Sequence, residues 1–285
     1  MSHARPPSPP RGPGRFAPSG LPAAESRGGG LLGRGAVGTV PLERALSKRG
    51  ICSRGQAREH ILAGRVDVDG VVCVDPLAAV HPERVALRLD GTDATATTPR
   101  LIALHKPRSV MTTRIDPQGR PTVYDALDPG LGWIGPVGRL DFATSGLLLL
   151  TNDTRLADTL TDPRTGIERE YVATVRGRVD DTVALRLMDG VEDGGERLGA
   201  ACVFIEKASG RESRLRLVLR EGRNREVRRM CAAVGHPVTR LLRTRYGPIL
   251  LGDLAPGAWR EESIEALRAF VAASARGRTV RGPIG

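Results

Sequence analysis

Gly138-Arg139-Leu140-Asp141-Phe142-Ala143-Thr144-Ser145-Gly146-Leu147-Leu148-Leu149-Leu150-Thr151-Asn152-Asp153 is the stretch whose reading decides the fold. Four consecutive leucines without polar alternation predict a strand buried on both faces. The polar, glycine-broken segment ahead of them then becomes a turn that can hold a charged side chain at fixed orientation beside the core. An Arg-Asp pair in such a turn either pins the chain or presents a carboxylate for chemistry.

The chain has 285 residues, 40% of them hydrophobic, enough for two domains with tails. Its formal net charge of +11 favours a polyanionic partner through attraction and counterion release, nucleic acid first. Lys48, Lys106 and Lys207 are the only lysines among 43 basic residues, and arginine's planar fork suits phosphates and base edges. Cys52, Cys73, Cys202 and Cys231 stand far apart with no CxxC pair, so neither a zinc site nor a disulfide framework is expected. No apolar run approaches the roughly 18 residues of a spanning helix, and the N-terminus lacks the apolar segment of a signal peptide. The expectation is a soluble cytoplasmic protein, monomeric, with no membrane partner.

Residues 1 to 40 mix Pro, Gly and Ser with Arg5, Arg11, Arg15, Arg27 and Arg34, and should form a disordered tail. Residues 41 to 90 read as a small module. Leu42, Ala45 and Leu46 share a helix face that Gly50 ends, and Ser53 with Gln56 forms a capping box for a second helix to about Leu62. Alternation from Arg65 to Val74 around Asp69-Gly70 predicts a hairpin, with a further strand near Val85 to Leu89. Lys48, Arg49, Arg54 and Arg58 cluster as a basic edge. Residues 91 to 99, GTDATATTP, read as a polar linker that lets two bodies orient separately.

A larger domain over residues 100 to 272 follows, with loose residues from 273 to 285. Strands are expected at 101–104, 147–150, 169–175, 201–205, 215–219 and 238–242, and helices at 154–160, 180–188, 224–234 and 261–271. The class is α+β with a mostly antiparallel mixed sheet. A second polar motif, Glu221-Gly222-Arg223-Asn224-Arg225-Glu226-Val227-Arg228-Arg229-Met230, places Asn224 as a helix cap with Arg225, Arg228 and Arg229 on or beside one outer face.

Gly138 to Asp141 with its continuation TSGLLLLTN resembles the catalytic motif of pseudouridine synthases, and glycine rather than histidine ahead of Arg139 is similar to the RsuA/RluB branch, which acts on ribosomal RNA. Residues 44 to 70 resemble the S4 RNA-binding domain, with Asp69 where that family usually carries Asn. The resemblance implies that a specific uridine is isomerised to pseudouridine, in 23S RNA of the large subunit or an assembly intermediate of it. A 16S enzyme of the small subunit and a non-catalytic ribosome assembly factor are the alternatives. It further implies that Asp141 acts at ribose C1′ of a flipped nucleotide and that Tyr171 stacks on the base and assists proton removal. Arg223 would pair with Asp141, Arg139 would contact RNA near the flipped nucleotide, and Leu219 would line the pocket. Arg225, Arg228 and Arg229 are read as RNA contacts or local ion pairs, while Lys48, Arg49, Arg54 and Arg58 would bind RNA from the S4-like module. Neither a metal nor a cofactor is required by this chemistry.

Overall fold

The computed structural model describes residues 38 to 279, with side chains to 274, so the expected tail lies almost wholly outside the described residues. The small module is built as its sequence implies. Helix α1, Leu42–Lys48, and helix α2, Arg54–Leu62, pack through Leu42, Ala45, Leu46, Ala57 and Ile61. Ser53 and Gln56 close the reciprocal cap at the start of α2, satisfying two otherwise orphaned N–H groups. Val66–Val68 turns through Asp69 and Gly70, both at positive φ as a tight hairpin requires, to pair with Val71–Val72, and its other edge pairs with Leu87–Leu89.

Residues 91 to 99 depart from the expected free linker. Thr92–Asp93 pairs with Leu87–Leu89, and Ala94 is buried in the module core. Thr97 donates its N–H to the Arg49 carbonyl at 3.0 Å, and the Asn152 amide holds Thr97 Oγ1, the Thr98 carbonyl and the Arg100 N–H. Arg155 and Glu83 add an exposed ion pair between the two bodies. A polar stretch reads as a tether in sequence, but here its backbone groups find partners on both sides.

The larger domain is organised on strands β1 (Leu101–Lys106), β2 (Ser145–Thr151), β3 (Arg169–Arg176), β4 (Cys202–Ala208), β5 (Glu212–Leu219), β6 (Val238–Tyr246) and β7 (Trp259–Glu261), in the order β4-β5-β3-β6-β2-β1-β7. Two short strands, Gly135–Pro136 on β2 and Ile249–Leu250 on β6, complete the nine-stranded sheet. Every pairing is antiparallel except β6 with β2, so the sheet is mixed and mostly antiparallel.

The leucine run explains how this sheet is covered. Leu147 and Leu149 face a core closed by helix α3 (Thr154–Thr161) and the C-terminal helix, whereas Leu148 and Leu150 face a second core with Ile102, Leu104, Val123 and Ile134. All four leucines are fully buried, and each such side chain contributes about 2 kcal/mol relative to exposure. Helix α4 (Asp181–Asp189) and helix α5 (Glu226–Ala233) cover the β3-β5 half through Leu187, Val227, Met230 and Cys231. The last helix, α6 (Ile264–Thr279), begins three residues later than expected and runs past residue 272 into the stretch read as loose.

The parallel pairing within this sheet, Leu242 with Ser145 and Arg243 with Gly146, is short and lies where the two halves of the sheet meet. A Cβ on Gly146 would sit 2.3 Å from the Arg243 carbonyl oxygen, so only glycine permits this approach. The polar turn of residues 138 to 144 emerges beside that seam.

Candidate active site

The turn that carries Asp141 is held from several sides. Gly138 takes φ +69°, the left-handed conformation glycine adopts without strain. Thr112 Oγ1 donates to the Leu140 carbonyl at 2.8 Å, and the Asp141 carbonyl accepts the Thr144 N–H at 3.0 Å. Beneath the turn, fully buried Lys106 donates its Nζ to the carbonyls of Thr144 and Pro107, both at 2.9 Å. Burial pushes the Lys106 ammonium down to about 8, with the negative charge of Asp141 opposing the shift. Asp141 itself keeps about a third of its side chain open to the cleft.

Its cations are not the one expected. Arg225 Nη1 lies 3.6 Å and Arg228 Nε 3.8 Å from Asp141 Oδ2. Arg223, the anticipated partner, pairs with Glu221 and donates Nη1 to the Arg197 carbonyl at 3.1 Å. The reason is local: Arg225 takes φ +51° and occupies the cap position of α5, which Asn224 was expected to fill. This left-handed kink accompanies a reversal in which the Glu226 carboxylate reaches back to accept the Arg223 N–H. Glu226 is only 5% exposed, and burial pushes its carboxyl up to about 7.

The three remaining arginines of the motif separate by role. Arg228 is largely buried and donates to the carbonyls of Ala143 and Val238 and to Thr144 Oγ1, which ties α5 to the Asp141 turn. Its burial makes it a strut of the site, and its approach to Asp141 is the local ion pair that was one of its two readings. Arg229 pairs with Asp193 and Glu196 of the hairpin Val191–Leu198, the local ion pair that was one of its two readings. Arg225 remains exposed at the mouth of the cleft, as do Arg139 and Arg223.

The cleft is walled by Tyr171, Leu219, Val227 and Leu241, with Tyr246 at its base. Leu219 and Tyr171 therefore line the same space as Asp141. Two buried arginines that sequence reading assigned no part in the site, Arg169 and Arg243, flank the Tyr246 ring at 4.8 and 5.1 Å. A signal for Arg243 existed: on a strand it shares a face with Leu241, which is an inward position.

On the small module, Arg54 and Arg58 are exposed, Arg58 close to Glu43. Lys48 borders a second groove shared with Arg155 and Arg268 of the larger domain. Arg49 does not join a basic edge: its guanidinium is spent on the carbonyls of Pro82, Val85 and Ala94, which lock the module's loops. Among the described residues no group of His, Cys, Asp and Glu could hold a metal ion, and no helix is long and apolar enough to cross a membrane.

An α+β fold whose sheet seam presents a carboxylate among arginines beside an aromatic ring defines a recognisable class, and comparison with known proteins gives it a name. The family model described as RNA pseudouridylate synthase matches residues 100–233. A protein of Aquifex aeolicus named uncharacterized RNA pseudouridine synthase is 37% identical over 223 residues, 78% of this chain and 90% of that one. A ribosomal large subunit pseudouridine synthase B of Yersinia pestis is 39% identical over 233 residues, 79% of this chain and 73% of that one. A crystal structure of a pseudouridylate synthase shares the fold, with a TM-score of 0.57 at 24% identity over 81% of this chain and 99% of that one. The chain belongs to the RNA pseudouridine synthase family.

Proposed function

We propose that this chain converts a specific uridine of ribosomal RNA to pseudouridine, with 23S RNA of the large subunit as its substrate. The observation that carries the reading is the placement of Asp141, Tyr171 and Leu219 in one cleft, with Arg225 and Arg228 beside the carboxylate. The name of the Yersinia pestis relative favours the large subunit.

The chemistry needs a nucleotide taken out of its stack so that its C1′ can meet a side chain. The N1–C1′ bond breaks and its electron pair leaves with the base. The base turns, C5 bonds to C1′, the C5 proton departs and N1 gains one, so the product is an isomer. A covalent adduct at C1′ and an elimination to a glycal both use an ionised Asp141. Tyr171 stacks on the base and its hydroxyl assists removal of the C5 proton. Arg228 fixes the Asp141 turn while Arg225 and Arg139, at the mouth, meet the RNA backbone.

The small module, read as an S4 domain, anchors RNA through Lys48, Arg54 and Arg58. Since Arg49 is committed to carbonyls, it contributes to that surface only by holding its shape.

Mapping pseudouridines in ribosomal RNA from cells with and without the gene tests the reading and names the site. The purified Asp141→Asn variant is expected to lose isomerisation and keep its RNA affinity within a few fold. Retained turnover in that variant, or an unchanged pseudouridine map, overturns the assignment.

A further inference from the structure

Among the described residues, the buried side-chain nitrogens without any hydrogen-bond partner are Arg228 Nε and Arg243 Nη2. A buried donor left unpaired loses its hydration with nothing in return, more so on a charged group, and native structures retain few of them. Arg243 lines the cleft that holds Asp141. Arg228 Nε has the Asp141 carboxylate 3.8 Å away, but Arg243 has no ion pair with any described residue.

The neighbouring Arg169 shows what a structural arginine looks like here. It is equally buried, packs on the same Tyr246 ring, and spreads its donors over the carbonyls of Ile167, Leu160, Arg220 and Glu221 and the Tyr246 hydroxyl. Arg243 is 3% exposed and spends only Nε, on the Leu147 carbonyl at 2.6 Å. Its strand position sets it directly opposite Tyr171 in the β3-β6 register, so the two side chains share a face of the sheet and line one cleft.

We propose that Arg243 is a further catalytic residue, whose unpaired Nη2 donates to a carbonyl oxygen of the uracil ring. This rests on the function proposed above. When the N1–C1′ bond breaks, the electron pair leaves with N1 and the negative charge spreads over O2 and O4 of the detached base. A buried guanidinium with no carboxylate counter-charge stabilises that anion and holds the base while it turns; the pair is then used in the C5–C1′ bond. A phosphate is a poorer fit, because it stays on the RNA backbone at the surface whereas Arg243 sits at the base of the cleft.

The test exploits leaving-group chemistry. Fluorine at C5 withdraws electron density and makes uracil a better anion, so its departure needs less help. Single-turnover rates are measured for the full-length protein and its Arg243→Gln variant on RNA carrying uridine or 5-fluorouridine, following consumption of the target nucleoside. For uridine the variant is expected to be about 100-fold slower, the effect of losing one donor to a developing anion, and for 5-fluorouridine the loss shrinks below about tenfold. An equal loss on both substrates, an unchanged rate, or a loss confined to RNA affinity overturns the proposal. A wild-type protein that makes no pseudouridine overturns the function itself, which separates the two failures. Should Arg243→Gln not fold, a crystal structure of the wild type with 5-fluorouridine RNA decides: Nη2 is expected within about 3.2 Å of a base oxygen. No base oxygen at that distance overturns it.

Discussion

Arg228 stands 3.8 Å from the Asp141 carboxylate while donating Nη2 to the Ala143 carbonyl at 3.2 Å, so one buried side chain both faces the carboxylate and fixes the turn that carries it. Helix α5 and the Asp141 turn come from residues far apart in sequence, and this guanidinium ties them together from within. Arg223, the partner the motif suggested for Asp141, is occupied with Glu221 at the rim.

The kinetic consequence separates these two arginines. Arg228→Lys keeps a charge but cannot reach the same three acceptors, and the turn shifts. A displacement of about 1 Å at a reacting group costs about 100-fold in rate. Single-turnover rates of Arg228→Lys are expected to fall by about that factor, whereas Arg223→Gln loses less than tenfold. The reverse order would return Arg223 to the role of partner to Asp141.

Tyr171→Phe keeps the ring that stacks on the base and removes the hydroxyl. Filter binding is expected to give an RNA affinity close to that of the wild type. Turnover is expected to fall by about 100-fold, the lower part of the range for a group that moves a proton. An active Tyr171→Phe variant would leave stacking as the whole of its contribution.

The architecture was legible because its signals are local. Four leucines in a row implied a strand buried on both sides, and Leu147 to Leu150 divide two and two between cores. The Ser53–Gln56 cap and the Asp69-Gly70 turn likewise depend on a few adjacent residues. The site was legible only by class of residue. Which arginine meets Asp141 depends on the left-handed φ at Arg225, and no propensity places an arginine there. Arg49 read as part of a basic edge and Arg243 had no assigned part, yet backbone carbonyls brought in by distant segments accept donors from both.

Gly146 tests the seam of the sheet. A methyl group there would meet the Arg243 carbonyl oxygen at 2.3 Å and its nitrogen at 2.6 Å, with φ at +109°. Backbone on one strand must move, so Gly146→Ala is expected to cost at least about 3 kcal/mol in urea denaturation. Gly195→Ala is the control: it also has positive φ but meets nothing within 4 Å, and should cost roughly 1–2 kcal/mol. Equal losses at the two positions would mean that the strand approach is not tight.

Glu226 gives the stability of the chain a pH dependence of predictable sign. Its carboxyl is pushed from an ordinary value of 4.5 up to about 7, first by burial, against the Arg223 N–H it accepts and the charges of Arg223 and Arg169. Between those two values the folded protein holds a proton that the unfolded chain has released. Stability from this group is therefore fully present below about pH 4.5, declines as pH rises toward 7, and changes no further above that. Glu226→Gln keeps an acceptor for the Arg223 N–H and cannot ionise. At pH 5 the variant and the wild type should unfold at similar urea concentrations, and by about pH 8 the variant should be more stable by on the order of 3 kcal/mol. Urea denaturation at several values from about pH 5 to 8 measures the gap. A gap that stays constant across that range would show that Glu226 is ionised throughout, with Arg169 and Arg223 compensating its burial.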